Sequence, residues 1–185
     1  ENKCILKDAK TITEALVGIT SYLQKSNLAQ DEWIHCSGID MTLSDQISIE
    51  QIDQVANGRP LYIQTSDGHS MWVNSKVLEL AGITEETPEP LQGEIVRVPG
   101  TSIPSGFLHD YATQIVKNII PTASIEERIA GLKTGMKMAH QFGITSILEP
   151  GMDDHLLAPY VKLSDENGLL LRVRASISPI YWQPG

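Results

Sequence analysis

After residue 123 the chain alternates helix-patterned and strand-patterned segments, and no other feature constrains its fold as tightly. Ser124-Ile-Glu-Glu127 is a capping box, and Ile129, Leu132, Met136 and Ala139 follow it as an apolar stripe at helical spacing. This predicts a helix over 125–142, closed by Gly143. At 1.5 Å per residue it spans about 27 Å, the length of a helix that flanks a barrel. Ile144–Leu148 reads as a strand broken by Pro150-Gly151, and 154–167 as a second helix closed by Gly168. Leu169–Ile177 reads as a last strand, continuously apolar at its start as buried parallel strands are. Helix, strand, helix, strand is the grammar of a parallel βα sheet.

The first 122 residues read differently, as short strands, turns and helices. Thr11-Ile-Thr-Glu14 opens an amphipathic helix over 11–26, with Ile12, Ala15, Leu16, Ile19, Tyr22 and Leu23 on one face. Trp33–Cys36 is a short strand. Ser48-Ile-Glu-Gln51 opens a helix that Asn57-Gly58 stops. Pro60–Gln64 is a strand with Pro at its first position. A helix over 75–81 has Asn74 as its N-cap and Gly82 at its end. Gly93–Val98 is a strand turned by Pro99-Gly100, with Ser105–Leu108 as its partner, and a helix runs from near Asp110 to before Pro121.

Composition narrows the function classes. The 185 residues carry a net charge of -9, which argues against nucleic acid as a partner, since phosphate binding needs basic patches. No run of about 18 apolar residues is present, so no membrane span is expected. The two cysteines, Cys4 and Cys36, make no framework and read as reduced thiols. No signal-peptide pattern opens the chain, and the cytoplasm is the favoured compartment. Both ends read as cut, which suggests an internal piece of a longer protein.

The five histidines are His35, His69, His109, His140 and His155. None stands in a His-x-His or His-Glu-x-x-His pattern, and no metal ligand is assigned. His140 has Ile144 at i+4 and reads as structural. Asp153-Asp154-His155 reads mainly as helix caps. His69 follows Asp67-Gly68 just past a strand end, where α/β proteins place functional side chains. Asp67 is positioned to orient its imidazole, and Trp72 and Asn74 follow within reach of the same loop. An imidazole, an indole N–H and an amide suit a carbonyl or amide substrate. The bland alternative is a loop tied down by its own hydrogen bonds, with Asn74 capping the next helix. Glu149, at the C-terminal end of a βα strand, stands where barrel enzymes place working groups or where a carboxylate caps a loop.

Several segments in order resemble the amidohydrolase family 3 group, which includes N-substituted formamide deformylase. Arg59-Pro-Leu-Tyr-Ile-Gln-Thr-Ser-Asp-Gly-His69 is similar to that group's strand leading into Asp-Gly-His. Trp72-Val-Asn-Ser-Lys76 and Leu78-Glu-Leu-Ala-Gly-Ile83 continue the likeness. So do Gly93–Arg97, Ser105–Leu108, Gly143–Ile147 and Leu170–Val173. The resemblance implies an α/β fold: a partial (β/α)8 TIM barrel in which 1–122 is an α+β insertion after the first barrel strand. Residues 123–185 would then be barrel strands two and three with their helices.

It also implies a metal-dependent hydrolase of C–N bonds in amide-like, non-peptide compounds. Zinc or another divalent metal is expected in the parent and none in this chain, whose sequence matches none of the family's ligands. Asp67, His69, Trp72, Asn74 and Glu149 are the expected substrate-binding residues, with catalysis absent from the isolated piece. A non-enzymatic binding or regulatory module on the same fold is the alternative. A complete small enzyme using His69 and Asp67 as a base is a third reading, for which no nucleophile pattern is found. Open strand edges predict self-association.

Overall fold

The computed structural model describes residues 3–152 and 154–177. The chain divides into two compact units, Glu1–Ile120 and Pro121–Gly185.

The first unit is built on a six-stranded mixed sheet. Across it run β1 (Cys4–Ile5), β2 (Ile34–Ile39), β3 (Leu61–Thr65), β4 (Ser70–Val73), β6 (Pro104–Asp110) and β5 (Gly93–Arg97). β1, β2 and β3 are parallel neighbours, so each connection must cross over the sheet. Helices α1 (Ile12–Lys25) and α2 (Ile49–Ala56) lie in those connections. The remaining neighbours are antiparallel, and short turns join β3 to β4 and β5 to β6. Helix α3 (Ser75–Ala81) follows β4, so that α3 and β5 intervene between β4 and β6, and α4 (Ala112–Lys117) follows β6.

Helices α1, α2 and α3 begin where side chains satisfy first-turn N–H groups, whereas α4, preceded by Tyr111, has no side-chain cap. Ser48 and Gln51 form a reciprocal capping box at α2. At α1, Thr11 Oγ1 accepts from Glu14 N–H, whereas the Glu14 carboxylate reaches back to Lys10 N–H. Asn57 ends α2 at φ 49° and Gly82 ends α3 at φ 66°, the left-handed turn that closes a helix.

Each sheet face has its own core. Ile12, Ile19 and Ile52 of α1 and α2 pack on Cys36, Ile63, Trp72 and Phe107. Val77, Val116 and their neighbours on α3 and α4 pack on Met71, Val73, Ile95 and Leu108. Successive residues of a strand face opposite ways, so β4 fills both cores and is buried along its whole length. That strand was not expected from the sequence, where 67–74 read as one polar loop. Its apolar residues carry no alternation because both faces are covered.

The second unit contains α5 (Ile125–Gln141), β7 (Ser146–Met152), α6 (Asp154–Asp165) and β8 (Arg172–Ile177). Ile129 and Met136 of α5 meet Leu163 and Leu171 in its core. α5 closes with two bonds, Gly143 N–H to His140 O at 3.0 Å and Ile144 N–H to Ala139 O at 3.0 Å. This claims Ile144 for the helix end, so β7 starts at Ser146 rather than Ile144. Nor does Pro150-Gly151 end β7; the parallel register with β8 slips between Glu149 and Met152 and pairing resumes. β8 starts at Arg172, because Leu169 N–H donates to Leu163 O at the end of α6. Asp153 and the side chains of Asp154 and His155 lie outside the described residues, and the cluster read there with them.

Gly106, at φ +88°, lies where any Cβ would stand 2.6 Å from Val73 O. Gly106→Ala is expected to lower stability by about 2 kcal/mol or more, combining backbone strain and a backbone clash. Urea unfolding followed by circular dichroism checks this.

Candidate functional site

The turn between β3 and β4 is tied by Asp67. Its Oδ1 accepts from His69 N–H at 3.0 Å and lies 2.6 Å from Thr65 Oγ1. Thr65 Oγ1 in turn accepts from Ser70 N–H at 3.1 Å. The Thr65 hydroxyl, then the His69 backbone N–H, hold the Asp67 carboxyl below its usual range. Gly68, at φ +78°, makes the turn sharp enough to return.

The carboxylate on the His69 ring is a different one. His69 Nδ1 lies 3.2 Å from Asp110 Oδ1, and Asp110 N–H donates to His69 O at 2.8 Å. The sequence reading gave Asp67 the role of orienting this imidazole; Asp67 instead binds the His69 backbone. Asp110 reaches the ring because it ends β6 in a left-handed conformation, at φ 49°. One residue back, Ser70 and His109 are direct partners in the β4–β6 ladder, with Ser70 Oγ 2.7 Å from His109 Nδ1. Glu94 stands opposite His109 on β5. The Phe107 ring meets His109 edge-on at 4.4 Å and stacks on Trp72 at 4.5 Å.

Two imidazoles near the same end of the β4–β6 ladder are therefore each held through Nδ1, His69 by Asp110 and His109 by Ser70. With Asp110 ionised, His69 Nδ1 donates and Nε2 of the neutral ring keeps its lone pair. His69 and Asp110 are largely exposed, with side-chain accessibilities of 73% and 57%. The exposed pair presents a proton acceptor to whatever approaches. Such an arrangement can bind and orient an amide N–H or a carbonyl-bound water.

The other expected residues lie elsewhere. Asn74 is buried, and its amide makes three bonds. Oδ1 accepts from Leu61 N–H at 3.1 Å and Val77 N–H at 3.2 Å, while Nδ2 donates to Arg59 O at 2.9 Å. This is the capping role of the bland reading, extended to clip β3 against β4. Trp72 is buried in the α1–α2 core, and its Nε1 has no hydrogen-bond partner among the described residues. Glu149 belongs to the second unit, opposite Ala175 on β8, and its charge contributes to raising the Tyr160 hydroxyl after burial does.

Ser70, His109 and Asp110 were missed in the sequence. They lie about forty positions from their partners, and only the β4–β6 register brings them together. A catalytic zinc needs three protein ligands and a structural one four. Among the described residues no group of three His, Cys, Asp or Glu is placed to hold a metal ion. The donor set here does not fit such a centre. Among the same residues, no helix is long and apolar enough to cross a membrane.

Two measurements check this geometry. Asn74→Ala is expected to cost about 2–4 kcal/mol by urea unfolding, since it removes a cap and strands buried backbone groups. Because the Asp67 pKa is depressed by folding, its contribution to stability is complete above the unfolded value of about 3.9 and is lost as pH falls through the folded value. Carbon-detected NMR titration should show Asp67 ionising below the ordinary range, and Thr65→Val should move it back up.

The sequence pattern of the amidohydrolase family matches residues 6–181. Protein LONG AFTER FAR-RED 3 of Arabidopsis thaliana is 30% identical over 137 residues, 70% of this chain and 23% of that protein. Exoenzymes regulatory protein AepA of Pectobacterium carotovorum is 24% identical over 147 residues, 77% of this chain and 32% of its own length. Putative amidohydrolase YtcJ of Bacillus subtilis is 26% identical over 125 residues, 66% of this chain and 23% of its own. The chain thus spans between about a quarter and a third of the length of these relatives. Among solved structures, an uncharacterized metal-dependent hydrolase from Pyrococcus horikoshii superposes at a TM-score of 0.65 and 16% identity, covering 97% of this chain and 33% of the other. A second, from Pyrococcus furiosus, gives 0.59 at 16% identity, with 97% and 34% covered. These likenesses establish a mixed α/β fold shared with metal-dependent hydrolases. With the pattern matched from Leu6 almost to the chain's end, this chain belongs to the amidohydrolase family.

Proposed function

We propose that the chain is the substrate-facing part of a hydrolase that cleaves C–N bonds in amide-like, non-peptide compounds, and that it does not turn over by itself. The observation that carries this reading is the pair of Nδ1-anchored imidazoles, His69 and His109, at the end of β4 and β6. His69 Nε2 accepts from the substrate N–H or from water, and Asp110 keeps the ring in that tautomer. Asp67 holds the turn that presents it. The second unit supplies two strands and two helices of a (β/α)8 barrel, and the first is an insertion in the chain after the first barrel strand. The family's divalent metal finds no ligand set among the described residues.

A binding or regulatory module is the second reading. It is favoured by the relative named as an exoenzymes regulatory protein. The two readings separate in the full-length protein. If it hydrolyses an N-substituted formamide, His69→Ala should raise KM about tenfold, with kcat changed less. Binding with no turnover would support the module.

For the chain itself, zinc and iron are expected below about a tenth of an equivalent after gel filtration without chelator. A stoichiometric metal, or hydrolysis by the isolated chain, would overturn the reading of an inactive piece. β7 and β8 pair only with each other among the described residues, and Leu148 on β7 is exposed. Strand edges of this kind recruit partners, so self-association is proposed as well. Light scattering should give a mass above that of one chain, and a clean monomer would remove this part of the proposal.

A further inference from the structure

Cys4 and Cys36 lie 32 positions apart in sequence and side by side in the sheet. They are direct partners in the parallel ladder between β1 and β2. In-register residues on neighbouring strands share a face, and both side chains enter the core under α1. Neighbouring strands are about 4.8 Å apart, inside the range of about 4.4–6.8 Å between Cα atoms that a disulfide spans. Both thiols are free and buried, at 4% and 1% exposure. Yet β1 is only two residues long and forms the edge of the sheet, the kind of element that opens locally without global unfolding.

We propose that Cys4 and Cys36 are a reversible dithiol–disulfide pair, oxidised by low-molecular-weight disulfides such as oxidised glutathione, that fastens the edge strand β1 to β2. This inference is independent of the hydrolase reading. The Cys4 thiolate attacks one sulfur of oxidised glutathione, forming a mixed disulfide and releasing one glutathione thiolate. Cys36 then loses its proton, and its thiolate attacks the Cys4 sulfur, releasing the second glutathione. Two thiols give up two electrons and two protons, and one glutathione disulfide becomes two glutathione thiols. The order of attack follows from the thiol–thiol interaction, since donation from Cys36 holds the Cys4 thiol below its usual range while Cys36 is pushed up.

The test is incubation of the folded chain with oxidised glutathione, followed by thiol titration, intact mass and thermal unfolding. The expected result is loss of both titratable thiols, a mass lower by about 2 Da with no glutathione retained, and reversal by dithiothreitol. Closing the intervening loop should raise Tm by about 5 °C. Cys36→Ser should stop at a mixed disulfide on Cys4. Should that variant fail to fold, the mass and thiol count of the unsubstituted chain decide alone. Two thiols persisting in the folded chain, a retained glutathione, or oxidation seen only in urea would each overturn the proposal.

Discussion

The register between β4 and β6 is the constraint on which the candidate site depends. Ser70 meets His109, Met71 meets Leu108 and Trp72 meets Phe107. A slip of one residue would send Leu108 into the α1–α2 core and Phe107 to the other face. It would also separate both imidazoles from their oxygen partners. Gly106 guards this register from below, because only a residue without a side chain fits against Val73 O. Asp110 guards it from above, with its left-handed backbone donating to His69 O. Polar chemistry at the rim is therefore positioned by apolar packing several residues away.

This explains what could be read from the sequence and what could not. Helix ends were legible because their signals are local. Ser48 with Gln51 and Ser124 with Glu127 close the boxes that their spacing announced, and Asn74 caps α3. Asp67-Gly-His69 was legible as a turn that carries function-like side chains. The partner of His69 was not, because Asp110 is 41 positions away and the intervening chain contains a helix and a strand. β4 was also hidden: four buried residues in a row leave neither alternation nor helical period. The parallel edge strand β1, two residues long, gives too little pattern for any periodicity.

In the second unit the errors concern boundaries, and each has a local cause. Ile144 looks like the first residue of a strand, but its N–H is taken by the closing turn of α5. Pro150 has no N–H to give, yet β7 continues past it because the slip in register places the proline outside the regular ladder. The α5 stripe of Ile129 and Met136 was read correctly as the buried face.

The Asn74 amide has a consequence for what the position can tolerate. At an ordinary helix start, aspartate and asparagine are near equals, because only an acceptor is needed. Here one oxygen accepts from two backbone N–H groups while the nitrogen donates to the Arg59 carbonyl. A carboxylate could repeat the first task but would set a negative charge against a carbonyl oxygen in a buried place. Serine or threonine would cap the helix without reaching the strand. The side chain acts as a two-sided rivet, which restricts the position to asparagine more severely than helix capping alone would.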